Sequence, residues 1–533
     1  MGIVTLDANT QARLKVVTHF FRKMEQANIA YCHWKSNEHL QEGLLGITDL
    51  DVLVERGKTR QLNRALFDSG FKLFNAMATH GYPAVEDYLA VDASSGSMVH
   101  LHLHYQLICG EPHLKGYRLP WEHLILSERQ YQETEHVFIV EPNMEMLLLI
   151  VRSVLKLRSR DRVLNALGQP YFRSERQREF AWLQQQLDVA RLTDLTEHLL
   201  GHEAALHIAS IVRSAAPSLK QILDFKRCVQ AKLNPFRTYM PLHARWRRTV
   251  REFFWICGGI NKHYIHAPVP LRRISASGGL LIVLSGCDGC GKSTQVKSVQ
   301  KWLAWKIDVI SLYFGSGQGS SSVLRWPLKM AAKLLRAASP ERQLQSDPLA
   351  ETNASLSHQN PSLTDMESNT QPYFTQTVPS SSRLKQIAKA IWALTLSLEK
   401  RQKLRQASRA RNRGIVVLCD RYPQNQIMGF NDGPLLSHWL SHSSGMLRAL
   451  ARWEAQPYRT AEFYPPDLVI KLNISAPVAM ERKSDMSFEQ FKQRAAANLA
   501  LNYPSPTRVI NIDAEQPIEQ VLLEIKNAIW REF

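Results

Sequence analysis

A glycine-rich stretch carries the clearest chemistry in this sequence. Residues 286–293 read Gly-Cys-Asp-Gly-Cys-Gly-Lys-Ser, which fits the pattern G-x-x-x-x-G-K-[ST]. Glycines let backbone amides turn inward around phosphate groups, the lysine adds a positive charge, and the serine hydroxyl can coordinate Mg²⁺. The pattern therefore predicts a site for nucleotide phosphates, with ATP and Mg²⁺ as the expected cofactors. A glycine-rich turn that binds no nucleotide is the alternative.

The flanking residues support the nucleotide interpretation. An apolar strand, Leu280–Leu284, precedes the stretch, and apolar residues at helical spacing follow it, which is the context this motif requires. The expected ATP-binding residues are Gly286, Asp288, Gly289, Cys290, Gly291, Lys292, Ser293 and Thr294. Cys287 and Cys290 also form a C-x-x-C pair, which alone would suggest redox or metal chemistry. No second pair follows at zinc-ligand spacing, so we interpret both as loop residues.

An acidic and a basic residue follow a second predicted strand. Ile415–Cys419 is apolar and ends in Asp420-Arg421-Tyr422. A carboxylate at the carboxyl end of a buried parallel strand can hold Mg²⁺ or orient an acceptor, and a neighbouring guanidinium can bind a phosphate through two hydrogen bonds. We therefore predict that Asp420 and Ser293 are metal ligands and that Arg421 binds an anionic group.

From Gly279 to Phe533 the sequence resembles the thymidylate kinase family of nucleoside-monophosphate kinases. The matching elements are the glycine-rich loop with Asp288, Asp420-Arg421-Tyr422, Pro466-Asp467-Leu468, Glu481-Arg482, and residues 509–514 before a final helix. The resemblance implies an α/β domain with a parallel sheet. It also implies an enzyme that transfers the γ-phosphoryl group of ATP to a nucleoside monophosphate or a related phosphorylated acceptor.

The resemblance also assigns roles to individual residues. Asp288 would contact the acceptor sugar, and Asp420 and Arg421 would serve the acceptor phosphate and the metal. The family carries an arginine either in the loop or in a later lid, and here the loop position is Gly289. The expected catalytic residues are therefore Lys292, Arg421 and the lid arginines Arg482 and Arg494.

Two departures concern the acceptor. Where the family usually carries Glu-Pro-Gly-Gly, this chain has 315–319, Gly-Ser-Gly-Gln-Gly, and Pro423-Gln424-Asn425 follows the Asp-Arg-Tyr triplet. The identity of the acceptor therefore stays open. A polar segment over 338–382 is too poor in large apolar residues to form a core and is interpreted as an insertion.

A basic segment lies before the second strand. Residues 383–413 contain ten Lys and Arg residues against one acid, Glu399. A solvated helix face is one interpretation. In the related kinases the corresponding helix lines the acceptor cleft, so Arg405 or Arg409 is an expected acceptor contact. Nucleic acid or an anionic membrane surface is the third possible partner.

The amino-terminal part offers a second set of candidate ligands. Asp49 and Asp51 are two residues apart on a predicted strand and so point to the same face, as carboxylates that share Mg²⁺ must. After Trp34-Lys35-Ser36 and Gly46, the stretch Ile29–Leu107 resembles nucleotidyltransferases. That resemblance implies a third carboxylate where this chain has His102, a poor Mg²⁺ ligand. We therefore expect a feeble or degenerate nucleotidyltransferase-like domain; a surface acid pair is the alternative.

The three histidines His100, His102 and His104 alternate along another predicted strand and share one face, which is expected to meet the face of Asp49 and Asp51. Residues 141–267 have mainly helical spacing and no recognisable chemistry. The predicted organisation is a nucleotidyltransferase-like α+β domain at 1–140, a helical region at 141–267 and a P-loop kinase domain at 278–533. Pro268, Pro270 and the run 275–279, Ser-Ala-Ser-Gly-Gly, predict a linker before the kinase domain.

Composition agrees with a folded α/β protein that has an anionic partner. The chain has 533 residues, 44% hydrophobic, and a formal net charge of +18, which favours nucleotides, nucleic acid or acidic lipid. Seven scattered cysteines and no signal-peptide pattern favour a cytoplasmic location. Besides the kinase, two functions remain open: a nucleotide-gated interaction protein that docks on nucleic acid or membrane, and a bifunctional kinase and nucleotidyltransferase.

Overall fold

The chain divides into two compact units, Met1–Ala276 and Ser277–Phe533. The structure is a computed structural model that describes residues 13–77, 79–158, 174–214, 217–265, 267–315, 383–428, 433–482 and 488–533. The polar insertion predicted at 338–382 lies outside the described residues.

The first unit is built on a mixed sheet. Its described strands are β1 Tyr31–His33, β2 Leu50–Val54, β3 Lys72–Ala76, β4 Val85–Val91, β5 Met98–His104, β6 Leu107–Cys109, β7 Tyr117–Leu119, β8 Gln130–Gln132, β9 Val137–Ile139 and β10 Arg273–Ser275. Eight of them form one sheet in the order β10-β3-β4-β5-β2-β1-β9-β8, and β6 pairs with β7. Strands β2 and β5 run parallel, with Asp51 opposite His102. The central position of β2 and β5 places the acidic and histidine residues side by side.

Helices cover this sheet. The described helices of eight or more residues are Lys15–Gln26, Thr59–Asp68, Pro142–Lys156, Ser174–Gln184, Val189–Leu200, His202–Arg213, Leu219–Leu233 and Pro241–Ile260. In the first of them the apolar residues Val17, Phe20, Phe21 and Met24 recur at helical spacing and are all buried. One apolar cluster packs this helix against the sheet, and a second joins the sheet to the helices after residue 141.

The second unit contains a fully parallel sheet. Its strands are β11 Leu281–Gly286, β12 Val309–Tyr313, β13 Val416–Asp420, β14 Leu468–Asn473 and β15 Arg508–Asp513, in the order β12-β13-β11-β14-β15. Every pairing in it is parallel. Strands β11 and β13 are neighbours. After β11 the chain crosses to β12 at one edge of the sheet, and after β13 it crosses to β14 on the other side of β11. Ligands of such sheets bind beyond the carboxyl ends of the strands at this point.

The described helices of the second unit are Lys292–Leu303, Arg383–Asn412, Gly445–Glu462, Ala476–Arg482, Phe488–Ala500 and Ile518–Glu532. Strands β11, β13 and β14 are buried almost throughout, as expected for a parallel sheet covered by helices. Its α/β character and parallel sheet agree with the fold class predicted from the sequence.

The predicted linker contains one element that was not expected. Residues Arg273–Ser275 form β10, which pairs antiparallel with β3 and closes one edge of the first sheet. Pro268, Pro270 and the glycines at 278 and 279 had suggested an irregular connection from 268 onward. A strand of three residues has too little periodicity to be seen in sequence. Within the described residues, none of the helices is long and apolar enough to cross a membrane.

A buried carboxyl group ties the loop after β1 to the helix Pro142–Lys156. Glu145 is 1% exposed. It accepts hydrogen bonds from the backbone N–H of Asn37 at 2.9 Å and from Asn37 Nδ2 at 2.7 Å. Burial raises the pKa of Glu145 to about 7, and the hydrogen bonds from Asn37 oppose part of that rise.

We expect Glu145 to make the first unit less stable as pH rises. Between about pH 4.5 and 7 the unfolded chain ionises this carboxyl while the folded chain keeps it protonated, so up to about 3 kcal/mol of folding free energy is lost across that window. The free energy of unfolding, measured with denaturant at pH 5 and at pH 7.5, should differ less between the two pH values in Glu145→Gln than in the unmodified protein. The exposed Glu42→Gln is the matched control; equal pH differences in all three proteins would contradict the assignment.

Candidate functional site

The glycine-rich loop lies where the sequence predicted it. It connects β11 to the helix Lys292–Leu303 at the carboxyl end of the parallel sheet. The first turn of that helix directs its backbone N–H groups toward the loop, which is the usual arrangement for binding an anion. Thr294 and Ser293 are exposed on this turn. The loop is therefore open to a ligand on the side of the helix N-terminus.

Two positions of the loop require glycine for steric reasons. A Cβ at Gly286 would lie 2.7 Å from the Leu472 carbonyl oxygen and 2.6 Å from Cys290 Sγ, so a side chain does not fit. Gly289 has a φ of +88°, and a Cβ there would lie 3.0 Å from the Ala479 carbonyl oxygen. These two positions fix the course of the loop against the neighbouring strand and helix.

Lys292 is held by the loop itself. Its side chain is 6% exposed, and Nζ donates a hydrogen bond to the Cys287 carbonyl and lies 3.6 Å from Cys290 Sγ. A hydrogen bond from Cys287 is the main cause that lowers the pKa of Cys290 to about 6. The charge of Lys292 lowers this pKa further, whereas burial raises it. We had expected Lys292 to line an open phosphate site, and the structure instead buries it beneath the loop.

Asp420 and Ser293 meet at the carboxyl ends of β13 and β11. Ser293 Oγ donates a hydrogen bond of 2.9 Å to Asp420 Oδ2. Asp420 is 5% exposed, and its Oδ1 is buried with no hydrogen-bond partner in the described part of the chain. A buried carboxylate oxygen without a donor is costly. A hydrated Mg²⁺ ion would satisfy it, and the hydroxyl and carboxylate oxygens are suitable hard ligands.

Two arginines hold Asp288. Arg421 Nη2 contacts Asp288 Oδ1 at 2.5 Å, and Arg494 Nη1 contacts Asp288 Oδ2 at 2.7 Å. Arg421 has a φ of +68°, which is unusual for a residue with a side chain. Its backbone N–H donates to the Leu284 carbonyl at 3.0 Å. The strained backbone turns Arg421 back from the end of β13 toward the loop, so two positive groups converge beside the phosphate site.

The structure separates two other predicted residues from this group. Arg482 Nη1 donates to the Ala514 carbonyl at 2.9 Å rather than to Asp288. Arg405 is exposed on the helix Arg383–Asn412 and makes no ion pair with a described residue. Of the two lid arginines expected from the sequence, only Arg494 contacts the loop among the described residues.

The basic helix is less solvated than its composition suggested. Lys403 and Glu399 form an ion pair, and Lys400 is 3% exposed with Nζ 4.6 Å from the ring centre of Tyr458. Arg411 forms an ion pair with Asp467. Part of the positive charge of this segment therefore has partners inside the second unit.

In the first unit, the carboxylates and imidazoles alternate across neighbouring strands. His100 Nδ1 lies 2.9 Å from Asp49 Oδ1, and His100 Nε2 lies 2.8 Å from Asp87 Oδ1. His102 Nδ1 lies 3.3 Å from Asp51 Oδ1, and His102 Nε2 lies 3.1 Å from Asp87 Oδ1. The expected meeting of the histidine face with the Asp49 and Asp51 face is therefore present.

Positive side chains balance these carboxylates. Lys35 Nζ lies 2.8 Å from Asp51 Oδ1, and Arg273 Nε lies 2.9 Å from Asp87 Oδ1. Burial acts to raise the pKa of Asp51, but Lys35 and the hydrogen bonds from two histidines outweigh it and hold the pKa well below its usual range. Burial lowers the pKa of His104 to about 3. Neutral His104 is therefore the form present at pH 7.

Asp87 also belongs to this group of carboxylates and imidazoles. The sequence showed no evident third carboxylate, because His102 stands where the resemblance implies one. Asp87 on β4 is directly opposite His102 of β5. The pairing of β4 with β5 could not be read from the sequence, so Asp87 had no visible relation to Asp51. Arg273 was missed for the same reason, since it comes from the edge strand in the predicted linker.

Comparison with known proteins gives distant relatives. No family model matches the chain. The uncharacterized ATP-binding protein YghR of Escherichia coli K12 is 27% identical over 259 residues, which cover 47% of this chain and 86% of that protein. The uncharacterized ATP-binding protein YghS of the same strain is 26% identical over 250 residues, covering 47% of this chain and 92% of YghS. This chain is thus similar, over close to half its length, to proteins named for ATP binding.

We expect Asp288→Asn to destabilise the second unit. The substitution leaves Arg421 and Arg494 facing each other without the carboxylate. Because these two side chains are 20% and 28% exposed, solvent limits the loss to about 1–2 kcal/mol. Added salt should recover part of it by screening. Chemical unfolding at low and high salt measures both effects, with the exposed Glu519→Gln as control. An unchanged unfolding midpoint would contradict the described ion pairs.

Proposed function

We propose that the second unit binds ATP with Mg²⁺ and transfers its γ-phosphoryl group to a nucleoside monophosphate or a related phosphorylated acceptor. The observation that supports this most is the convergence of Lys292, the Ser293–Asp420 pair and two arginines at one end of a parallel sheet. Each group has a separate task in phosphoryl transfer, in which positioning and charge stabilisation supply most of the catalysis.

The nucleotide would occupy the loop and the first turn of the following helix. Backbone N–H groups there would bind the β- and γ-phosphates, and Lys292 would move from the Cys287 carbonyl to the phosphates. Ser293 and Asp420 would hold Mg²⁺, directly or through water, because their oxygens are adjacent and Asp420 Oδ1 has no donor among the described residues. The ion would supply charge stabilisation at the phosphates. The names of the two relatives add support for ATP as the nucleotide.

The acceptor would be anionic. Arg421 and Arg494 both contact Asp288, and a guanidinium that pairs with a carboxylate also pairs well with a phosphate. An acceptor phosphate could therefore take Arg421 while Asp288 turns to a hydroxyl of the acceptor. Arg494 would remain close to the transferring group, where negative charge must be neutralised.

We expect Lys292→Met to abolish phosphoryl transfer while the unit stays folded. The methionine keeps most of the buried volume of the side chain and removes only the ammonium charge. Transfer from labelled ATP to a panel of monophosphates and phosphosugars, with circular dichroism of the same samples, tests this. Lys301→Met on the exposed face of the same helix is the matched control.

Wild-type transfer by a folded Lys292→Met protein would contradict the site. Hydrolysis of ATP that needs no acceptor, and that DNA, RNA or anionic vesicles stimulate, would instead favour a nucleotide-gated interaction protein. That alternative would draw on the basic helix Arg383–Asn412.

We expect Arg421→Ala to impair use of the acceptor more than binding of ATP. The KM for the acceptor should rise at least 10-fold, since a charge-assisted contact to phosphate contributes about 1.5–3 kcal/mol. The dissociation constant of ATP, measured by calorimetry, should change less than threefold. The exposed Arg459→Ala serves as control. A loss confined to ATP binding would show that the residues after β13 have been misassigned.

A further inference from the structure

Three side chains of the first unit have the arrangement of metal ligands. His102 Nδ1 and His104 Nε2 lie 3.3 Å and 3.1 Å from the same oxygen, Asp51 Oδ1. Ligand atoms of these three residues all lie within 4.8 Å of one another. We propose that the first unit binds one divalent transition-metal ion, with Zn²⁺ as the representative, through Asp51, His102 and His104.

The separations fit a tetrahedral ion. Zinc binds imidazole nitrogen and carboxylate oxygen at about 2.0–2.2 Å, and two such bonds at the tetrahedral angle place their ligand atoms about 3.3–3.5 Å apart. The distances from Asp51 Oδ1 to His104 Nε2 and His102 Nδ1, 3.1 and 3.3 Å, are close to that value. Only a small opening of the group is required to admit the ion. Three protein ligands leave the fourth position for water or a substrate, as in zinc sites that carry out chemistry.

The ligands stand on a rigid frame. Asp51 and His102 face each other in the register of the parallel strands β2 and β5, and His104 lies two residues further on the same face of β5. Both strands are central in their sheet, and the side chain of His104 is 1% exposed. Ligands placed on central strands keep their geometry better than ligands on loops.

His102 has the outer contact that metal-bound histidines usually have. Its second nitrogen, Nε2, lies 3.1 Å from Asp87 Oδ1 and 3.3 Å from Arg273 Nη2, and Arg273 Nε lies 2.9 Å from the same Asp87 oxygen as an ion pair. A carboxylate on the far nitrogen fixes the tautomer and the ring orientation of a metal ligand. Asp87 would therefore act as a positioning residue for His102, with Arg273 fixing Asp87.

The donor set selects the kind of metal. Two imidazoles and one carboxylate suit zinc, iron, nickel or copper, whereas Mg²⁺ requires oxygen ligands in octahedral geometry. We had expected Asp49 and Asp51 to be Mg²⁺ ligands of a nucleotidyltransferase-like site. The histidines between the carboxylates favour a softer ion at Asp51, and they separate Asp51 from Asp49.

Lys35 is the natural competitor of the ion. Its Nζ lies 2.8 Å from Asp51 Oδ1, the proposed ligand atom, and its side chain is 20% exposed. The ammonium group would have to leave that oxygen when the metal binds, and its exposure gives it a route toward solvent. Removing the charge of Lys35 should therefore tighten metal binding, which is the opposite effect to removing a ligand.

The test is metal binding by the full-length protein after treatment with a chelator. Calorimetric titration with ZnCl₂ should give one ion per chain at this site, weakened at least 10-fold by Asp51→Asn and by His102→Asn. Lys35→Met should bind at least threefold more tightly. Co²⁺ in place of Zn²⁺ should give visible absorption bands without a thiolate charge-transfer band, because no ligand is a cysteine.

A second cluster, Glu203, His207 and Cys228, could also hold an ion and provides the control. His207→Asn should leave the zinc affinity of the Asp51 site unchanged. The proposal is overturned if chelator-treated protein binds neither Zn²⁺ nor Co²⁺, if binding survives both ligand substitutions, or if the cobalt spectrum carries a thiolate band that His207→Asn removes together with all binding. Because Lys35→Met removes no proposed ligand, unchanged or weaker binding by this variant also counts against the proposal.

Discussion

The parallel pairing of β11 with β13 is the constraint on which the second unit depends. It places Leu284 opposite Asp420, so the loop after one strand and the Asp-Arg pair after the other end at the same edge of the sheet. Without that register, Ser293 could not reach Asp420 and Arg421 could not reach Asp288. The two segments are more than a hundred residues apart in sequence. Their chemistry is therefore a product of strand pairing, and the residue types alone do not create it.

In both units one carboxylate pairs with several positive or imidazole groups. In the second unit one carboxylate, Asp288, serves two guanidinium groups, and in the first unit Asp51 serves Lys35 and two imidazoles. A charge that is removed from water is costly unless it has partners in good geometry. Such shared arrangements also respond to ligands, because a phosphate or a metal ion can replace one partner without leaving another unpaired.

The sequence predicted local features of the second unit well. The phosphate loop, the buried strand before it and the Asp-Arg pair each occupy a short continuous stretch whose pattern has a direct physical meaning. In the first unit the alternation of His100, His102 and His104 likewise predicted a strand with one polar face. The roles assigned by resemblance to these residues remain predictions.

What the sequence did not reveal depends on contacts between distant segments. Asp87 joins the histidines only because β4 pairs with β5, and Arg273 joins Asp87 only because a three-residue edge strand pairs with β3. Neither pairing leaves a periodic signal in the chain. The resemblance suggested Arg405 as an acceptor contact, and that role stays a prediction. Burial of Lys400 and Glu399 shows that part of the same helix packs within the fold.

The ion pairs of Asp288 with Arg421 and Arg494 set a physical condition on any acceptor in the proposed reaction. Both guanidinium groups are paired with Asp288, so an acceptor would have to replace a charge-assisted contact with one at least as strong. A neutral sugar cannot do so, because leaving Arg421 half-buried without an anion costs more than a hydroxyl contact returns. A phosphate group can replace the contact, and a sugar hydroxyl of the same acceptor can then bind the released carboxylate of Asp288. The ion pair between Asp288 and Arg421 would therefore discriminate phosphorylated from unphosphorylated acceptors, because both side chains would change partners together.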